Sequence, residues 1–572
     1  MRRRITAITL ENFKAVSTPI RIDLAPITLL FGQNSVGKST IIQALHYLHE
    51  ILENGNLDPD TSLGAGETLD LGGFESIING HDLSKTIKMR VDFTFDFDDL
   101  KIYPARPKLT DSGTGYGLTS TEDIKSDIGF FLEESYIEIE IAYSDRVKKP
   151  YVKKFISGFL GKKVAEIVYD PPYRQDINNL GICFHGIGIL QYVDFDHKIF
   201  CDRAGCDPND SFLKNMIKGI FPETFIAGKS SSGLMLEGCA GLPIHWDGLY
   251  ISVGYFVGFD GFEGPELAGV DSDIRLEDDD LKTVLTFESY MTQLTKGPCE
   301  ILLSMLKGMV YVGPLRKTPE RNFLPRKSYD PSRWSNGLAA WDKFFQGDQK
   351  FIDNLNCWLT DKERLNTSYK VELRRYRELN SSDDFWDILK PGSKPADISN
   401  ALNLLKNISE KSELSILDLR QNCTVHLHDI GIGISQVMPI LVCALDKQVS
   451  IATIEQPELH IHPGLQCRLA DLLISAAIPR PYGEERWYDK KMFLIETHSE
   501  HLLLRLLRRI RETTEKTLPD WQVGLRPEDV SANFVEFSNG KYNVRRLHIS
   551  KDGDSEEEWP EGFFEERSEE LF

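Results

Sequence analysis

The chain has 572 residues. A single hydrophobic core rarely organises a chain of this length, so we expect two to four compact units. Apolar residues make up 41% and charged residues 27%, as in an ordinary globular protein, and no run approaches the roughly 18 apolar residues of a membrane span. With no signal-peptide core at the N-terminus and a net charge of −21, we expect a cytoplasmic protein without membrane contact, and composition does not favour nucleic-acid binding.

The first predicted elements are a short apolar strand, a glycine-rich loop and a helix. The strand covers 26–31, the loop covers 32–40, and the helix continues to about residue 50. This order is the structural context in which the pattern GxxxxGK[ST] binds nucleotide phosphates. The loop residues that we predict to contact the nucleotide are Gly32, Asn34, Ser35, Gly37, Lys38, Ser39 and Thr40.

Each residue type in this loop has a chemical role. Gly32 and Gly37 let backbone N–H groups turn toward phosphate oxygens, and the helix start adds its positive dipole end. Lys38 would place a cation beside the β and γ phosphates, while the Ser39 hydroxyl would ligate Mg²⁺. The sequence therefore predicts ATP and Mg²⁺ as cofactors.

The long middle of the chain has a mixed pattern. Alternating apolar residues predict strands at 87–96 and 136–142, and a segment rich in Pro, Gly, Ser and Thr at 101–126 predicts a loop. The clearest helical pattern is at 338–359. The sequence has no sustained heptad repeat, so we do not expect a long coiled coil. We divide this part into a first ATPase lobe at 1–100, a β-rich insert at 101–300, and a connecting and largely helical segment at 301–410.

Two features raise the question of other ligands. Cys201 and Cys206 have a spacing that zinc tolerates, but no second close pair follows, so reduced thiols are the simpler interpretation. The stretch 146–155 mixes cations with aromatic residues, and 505–511 has the pattern of a basic amphipathic helix. Either stretch could contact DNA or RNA, although a solvated surface also explains each of them.

Three later segments contain residues that could complete a nucleotide site around the phosphate loop. A buried strand at 450–455 ends in Glu455, which we predict as the acid that holds Mg²⁺. Another buried strand, at 492–496, leads into a Thr-His-Ser cluster that contains His498. Before both lies a glycine-rich helix start, where close approach to phosphate is expected of Gly433, Ser435 and Gln436.

The residue after Glu455 affects the expected mechanism. It is Gln456, whose amide can orient water but cannot accept a proton near neutral pH. Glu458 or His460 could supply a base instead, or ATP binding alone could do the work, and we expect slow turnover. His460 and His462 form a pair that could suggest zinc, but no further ligands are evident.

The order of these motifs resembles an ABC-type ATPase, and more narrowly the SMC-like and OLD-like prokaryotic ATPases. Asn12-Phe13-Lys14 and the run from Pro457 to Pro463 match motifs of these families, and a Gly-Pro-Leu-Arg segment at 313–316 also occurs in related ATPases. The run WPEGFFEE, which begins at Trp559, resembles the WPxGFFxE ending of a family of prokaryotic AAA ATPases. The similarity covers about 1–100 and 305–572.

The resemblance implies an α/β fold: an ABC-type P-loop ATPase head with a mixed sheet and flanking helices. Residues 411–520 would form the second lobe, and 521–572 a C-terminal β segment with an acidic tail. It also implies a homodimer, or a larger even-numbered assembly, in which Gly433 and Ser435 of one subunit face the γ-phosphate held by Lys38 of the other. Lys14 would lie near the nucleotide. The implied catalytic residues are Glu455, Gln456, Glu458 and His498.

These features predict an ATPase that acts through a separate effector. OLD-type relatives often carry a C-terminal Toprim nuclease, for which the 74 residues after His498 are too few. Similarity to the Septu and retron-associated ATPases points to a subunit of a prokaryotic anti-phage defence complex that acts beside an HNH nuclease. The alternatives are a DNA repair or recombination ATPase, and a nucleotide-stabilised scaffold with little hydrolysis.

Overall fold

The structure, a computed structural model, describes the chain apart from a few loops and parts of its middle and C-terminus. The described residues are 3–33, 36–59, 69–95, 134–169, 173–175, 182–184, 188–194, 232–236, 242–245, 251–258, 278–320, 323, 325–326, 328, 330–378, 408, 410–478, 491–538 and 540–559.

Helices and strands both run through the described residues. The strands are β1 (Arg4–Glu11), β2 (Ile20–Asp23), β3 (Ile27–Phe31), β4 (Ile87–Thr94), β5 (Glu134–Ser144), β6 (Lys149–Phe159), β7 (Lys162–Tyr169), β8 (Tyr173–Gln175), β9 (Ile182–Phe184), β10 (Gly188–Val193), β11 (Ser232–Leu236), β12 (Ile251–Gly258), β13 (Met309–Val312), β14 (Tyr369–Arg377), β15 (Glu410–Asp418), β16 (Cys423–Val425), β17 (Ile451–Glu455), β18 (Met492–Glu496), β19 (Val530–Ser538) and β20 (Lys541–Leu547). The helices are α1 (Ser39–Asn54), α2 (Gly73–Ile77), α3 (Asp278–Leu306), α4 (Leu338–Gln346), α5 (Gln349–Thr360), α6 (Ile432–Leu445), α7 (Pro463–Ala477) and α8 (Glu500–Glu515).

A six-stranded sheet in the order β13-β17-β18-β3-β19-β20 forms the centre of the molecule. Its first five strands run parallel, and β20 pairs antiparallel with β19. β3, β17 and β18 are continuous apolar runs, as expected of parallel strands buried on both faces. The strands predicted at 26–31, 450–455 and 492–496 are therefore neighbours in one sheet, and the mixed α/β architecture is confirmed.

Each face of this sheet has its own hydrophobic core. On one face, residues such as Leu30, Tyr311 and Leu494 pack with α1, α3 and a large antiparallel sheet. On the other face, residues such as Phe31 and Ile495 pack with α4 to α8. Successive side chains of a strand point to opposite faces of the sheet, so alternate residues along each strand belong to different cores.

The insert differs from the separate unit that we expected. β5, β6, β7, β10, β11 and β12 continue the antiparallel sheet that β2, β1 and β4 begin, giving nine strands in one sheet. α3 crosses the predicted boundary at residue 300 and packs against both α1 and this sheet. The continuity comes from antiparallel pairing of β4 with β5, in which Ile87 to Thr94 face Ile141 to Glu134.

In the described part of the predicted helical segment, the helices are shorter than expected and strands follow them. The expected helix at 338–359 is two helices, α4 and α5, which are separated at Gly347 and Asp348. Asp348 caps α5 by accepting a hydrogen bond from the Phe351 N–H at 2.8 Å. β14 then pairs with β15 in a small antiparallel sheet.

The C-terminal segment is part of the ATPase core rather than an appendage. β19 pairs in parallel with β3, the strand before the phosphate loop, and β20 covers the outer edge of β19. Trp559 packs against the core beside α4 to α8, while the rest of the predicted ending motif lies outside the described residues. Cys201, Cys206 and the predicted loop at 101–126 lie outside them too.

Several cations in the two basic stretches have acidic partners. Arg509 and Arg505 pair with Asp471 at 2.7 and 3.3 Å, and Arg508 pairs with Glu512 at 2.7 Å. In the first stretch, Lys154 lies 3.7 Å from Glu140 and 3.9 Å from Glu166. This local neutralisation does not favour phosphate binding by 505–511, whereas Arg146, Lys149 and Lys153 of the first stretch are exposed.

None of the helices in the described ranges is both long enough and apolar enough to cross a membrane.

Candidate nucleotide site

The predicted site residues meet at the carboxyl edge of the parallel sheet. The phosphate loop follows β3, Glu455 is the last residue of β17, and Glu496 is the last residue of β18. Since β18 lies between β17 and β3, its end stands between the loop and Glu455. Ligands of open α/β sheets bind in the crevice outside this edge.

The two glycines of the phosphate loop occupy positions that other residues cannot take easily. Gly32 has φ 143°, and a Cβ there would lie 2.0 Å from the backbone oxygen of Val535 in β19. Gly37 has φ 91°, and its carbonyl oxygen accepts a hydrogen bond from the Tyr542 hydroxyl at 3.0 Å. The C-terminal hairpin of β19 and β20 therefore holds the loop from outside. Asn34 and Ser35, also predicted to contact nucleotide, lie outside the described residues.

Lys38 lies inside the loop rather than in solvent. Its ammonium donates to the backbone oxygens of Gly32 at 3.0 Å and Gln33 at 2.7 Å, and its side chain is 3% exposed. Burial lowers the pKa of Lys38, and the nearby carboxylate of Glu496 opposes that shift. The cation thus stands at the edge where two acidic strands end. Thr40, in the first turn of α1, is buried, and its N–H donates to the Gly37 oxygen at 3.0 Å.

Two carboxylates face the start of α1, whereas the sequence had indicated one. Glu455 and Glu496 are partners in the parallel register of β17 and β18. The Ser39 hydroxyl donates to Glu496 Oε2 at 2.6 Å, and the Tyr311 hydroxyl of β13 donates to Glu455. Glu496 was detectable in the sequence, because it ends its strand just as Glu455 ends β17.

The environment of Glu455 is unusual for a carboxylate. Burial and the neighbouring charge of Glu496 raise the pKa of Glu455 to about 7, against the hydrogen bond from Tyr311 and the charge of Lys38. Crowded carboxylates of this kind favour a cation between them. A hydroxyl and two carboxylates are hard oxygen donors that fit Mg²⁺.

Glu458 joins the loop after β17 to the loop after β18. Its Oε2 accepts from the Thr497 hydroxyl at 2.6 Å, and its Oε1 accepts from the His498 N–H at 2.8 Å. These contacts fix the orientation of the Glu458 carboxylate between the two loops. The His498 side chain is accessible at this edge, and its partial desolvation and the nearby Lys38 lower its pKa.

Arg316 is a site residue whose role the sequence did not reveal, although its Gly-Pro-Leu-Arg segment was noticed. It is 4% exposed, and its Nη2 donates to the backbone oxygens of Glu455 at 2.7 Å and Gln456 at 3.1 Å. Burial lowers the pKa of Arg316 to about 10. Gln456 has φ 45°, an uncommon conformation for a residue with a side chain, and Arg316 holds this turn in place.

The start of α6 differs in detail from the prediction. Ser435 is fully buried, and its hydroxyl donates to the Ile432 oxygen at 2.8 Å. Gln436 is also buried, and its amide donates to the Arg316 oxygen at 2.8 Å. Both side chains therefore bind within the subunit, and the surface at this helix start is formed by Gly431 and Ile432, with Gly433 half-buried behind them.

Two other predicted residues lie close to this edge. Lys14 follows β1 with φ 48°, and its N–H donates to the Ile77 oxygen at 2.7 Å. The neighbouring Ala15 lies 3.3 Å from the position of a Cβ on Gly37, so the Asn-Phe-Lys motif adjoins the phosphate loop. A Cβ on Gly433 would lie 3.2 Å from the His460 oxygen, which places the start of α6 beside the loop after Glu455.

The pair His460 and His462 shows no zinc arrangement. His462 caps α7 by accepting from the Gly464 N–H at 3.1 Å, and His460 is exposed. Among the residues that the structure describes, no group of three or more His, Cys, Asp or Glu side chains could hold a metal ion.

Below the acids, His46 provides a pH-dependent contribution to stability. Thr453 donates its hydroxyl to the Val310 oxygen, so His46 Nε2 donates to Thr453 Oγ1 at 2.8 Å. Burial lowers the pKa of His46 from 6.5 to about 3, so the folded protein keeps it neutral. That contribution is complete above pH 6.5 and is lost as the pH falls toward 3, because only the unfolded chain takes up the proton.

We therefore expect wild type to lose about 2 kcal/mol more unfolding free energy between pH 7 and pH 5 than His46→Gln, which retains a donor for Thr453. Urea unfolding at both pH values measures the difference. Parallel losses in the two proteins would contradict the prediction.

Comparisons with known proteins agree with a nucleotide-binding role. A family model described as an AAA ATPase domain matches residues 4–179. A comparison with curated proteins finds none that matches. Because the matched region contains the complete phosphate loop and α1, and the acids converge on it, the chain is a P-loop ATPase.

Solved structures of SMC heads superpose over most of the chain, but loosely. The SmcHead bound to the C-winged helix domain of ScpA has 8% identity, a TM-score of 0.36, and coverage of 95% of this chain and 98% of that chain. The SMC head domain from Thermotoga maritima has 11% identity, a TM-score of 0.32, and coverage of 96% and 100%. The Smc head with an extended coiled coil, bound to the C-terminal domain of ScpA derived from Pyrococcus furiosus, has 8% identity, a TM-score of 0.34, and coverage of 96% of both chains.

Proposed function

We propose that the chain is an ABC-type, SMC-like and OLD-like ATPase subunit of a prokaryotic anti-phage defence complex. Two subunits would close around ATP and Mg²⁺. The closed dimer would regulate a separate effector protein, a nuclease. The observation that carries the proposal is the meeting of the phosphate loop, the acids and an exposed helix start at one sheet edge, which we interpret as a half-site. Lys38, Glu455 and His498 converge at the sheet edge, and the start of α6 is exposed beside the loop after Glu455.

A second subunit would supply what this half-site lacks. Ile432, at the first position of α6, is 58% exposed, which is unusual for a large apolar side chain. A Cβ on the adjacent Gly431 would have no heavy atom within 4 Å, so the backbone there is open to close approach. The helix start, with its unsatisfied N–H groups, suits contact with the γ-phosphate of an opposing nucleotide. The contact would come from backbone rather than from the buried Ser435.

The assignment of nuclease chemistry to another chain rests on the resemblance to ATPases that act beside a separate nuclease. The pairing of Arg505, Arg508 and Arg509 with Asp471 and Glu512 gives less support to a DNA repair or recombination ATPase.

The proposal is tested by mass and by protection from phage. Purified protein should double in mass with ATP and Mg²⁺, and Lys38→Ala should stay monomeric under the same conditions. In a bacterial host that carries the gene with its genomic neighbours, the wild-type chain should lower the efficiency of phage plating, and Lys38→Ala should not. Equal plating by both, with intact ATP-dependent dimers, would remove the defence role and leave the ATPase.

Gln456 supports a second candidate function, a nucleotide-stabilised scaffold with little hydrolysis. Its backbone N–H donates to the backbone oxygen of Glu496 at 2.8 Å, and its backbone oxygen accepts a hydrogen bond from Arg316. These contacts hold Gln456 at the position where an activating glutamate is expected. We expect Gln456→Glu to raise steady-state ATP turnover at least about tenfold, because a carboxylate can accept the proton of the attacking water. Phosphate release under saturating ATP measures this, with Gln448→Glu as the matched control. Unchanged or lower turnover would contradict it and would show that the missing base does not limit the rate.

A further inference from the structure

We propose that Glu496 is a second carboxylate ligand of the magnesium ion, acting together with Glu455 and Ser39. The inference rests on the proposed magnesium role of Ser39 and Glu455, and it extends the metal site from one acid to two. It concerns the residue at the end of β18, for which the sequence patterns indicated no role.

Strand register places the two carboxylates side by side. Ile451 to Glu455 pair one-to-one with Met492 to Glu496, without a bulge. Neighbouring parallel strands lie about 4.8 Å apart, and paired residues point to the same face. That face is the one against α1, because Thr453, two residues before Glu455, contacts His46 of α1 at 2.8 Å. Both acids therefore face the helix that begins with Ser39.

The contacts of Glu496 link it directly to the phosphate loop. Its Oε2 accepts the Ser39 hydroxyl at 2.6 Å, and its Oε1 lies 4.0 Å from the Lys38 ammonium. The hydroxyl that would ligate magnesium thus already adjoins Glu496. The Glu496 side chain is 10% exposed, so little water is available to stabilise its charge.

The donor set matches the chemistry of magnesium. Mg²⁺ takes six oxygen ligands and is bound in proteins through one or two carboxylates together with waters and substrate phosphates. Ser39, Glu455 and Glu496 supply three such oxygens at one edge. Two buried carboxylates in register repel each other, and a divalent cation removes that repulsion. Lys38, already bound to two loop carbonyls, offers only a single charge at 4.0 Å.

A competing explanation is that Glu496 only orients the Ser39 hydroxyl. The two explanations differ in a double-mutant cycle. If Glu496 acts through Ser39 alone, Glu496→Gln has no further effect once Ser39 is Ala. If Glu496 binds the ion directly, Glu496→Gln weakens metal binding in both backgrounds.

The experiment measures how much Mn²⁺ tightens binding of a fluorescent, non-hydrolysable ATP analogue, by comparing its affinity in Mn²⁺ with that in EDTA. In Glu496→Gln we expect this factor to fall about 10- to 100-fold, with the affinity in EDTA unchanged or higher. The unchanged EDTA affinity also shows that the variant is folded. Glu528→Gln is the matched control, because Glu528 is exposed at the opposite end of the sheet.

The outcomes distinguish failure of the proposed Glu496 role from failure of the underlying magnesium site. An unchanged metal factor in Glu496→Gln, or no effect of that change in the Ser39→Ala background, overturns the direct role of Glu496. If wild type binds the analogue equally in Mn²⁺ and in EDTA, the proposed magnesium role of Ser39 and Glu455 fails instead.

Discussion

Replacing Lys38 with Ala is expected to lower ATP turnover by roughly 10²- to 10³-fold or more, because it removes the cation at the phosphates. The structure strengthens this expectation beyond the motif. The ammonium is 3% exposed, is held by two loop carbonyls, and stands 4.0 Å from Glu496. Its electrostatic interactions are therefore screened little by solvent.

Phosphate release and nucleotide affinity, measured on the same preparation, check this prediction. Lys350→Ala is the matched control, since Lys350 is exposed on α5, on the far side of the sheet from α1. The control should keep wild-type turnover. Retention of more than a tenth of wild-type turnover by Lys38→Ala would mean that hydrolysis takes place at another site.

Gly32→Ala should have the largest effect on structure of any single methyl group added at the site. A Cβ at Gly32 would lie 2.0 Å from the Val535 oxygen, so the loop or the pairing of β3 with β19 must move. We expect a loss of about 3 kcal/mol or more in unfolding free energy, together with loss of ATP binding.

Gly161→Ala separates this clash from simple backbone strain. Gly161 also has a positive φ, 76°, but no atom lies within 4 Å of a Cβ placed there. That variant should lose only about 1 to 2 kcal/mol and should bind ATP normally. Thermal unfolding with and without ATP compares the two. Similar shifts in both would show that the contact with Val535 is relieved at little cost.

The local elements of the site were predictable because their signals are local. The strand at 26–31, the helix after Lys38 and the strands that end at Glu455 and Glu496 each follow from a short apolar run and the residues that bound it. The phosphate loop identifies itself by the fixed spacing of its glycines, lysine and serine, since that spacing is what the phosphate geometry requires. The sequence thus predicted the α/β class and the ATPase.

Pairing between distant segments was beyond the sequence. Glu455 follows Lys38 by 417 residues, and nothing local states that β18 lies between β17 and β3. The role of Glu496 depends on that order and on a register without a bulge, so it appeared only in the folded sheet. The same reason hid Arg316, whose guanidinium holds backbone oxygens 139 and 140 residues away.

Domain limits and side-chain orientation were also decided by the tertiary structure. Composition set the insert apart at residue 101, yet β5 pairs with β4 along its length and joins it to the first lobe. Ser435 has the residue type of a phosphate contact, but its position in α6 turns it into the core, where it is fully buried. The sequence by itself determined which chemical groups this protein has and which short elements carry them. The tertiary structure decided which of those groups meet, because strand order, register and helix rotation depend on packing between segments far apart in the chain.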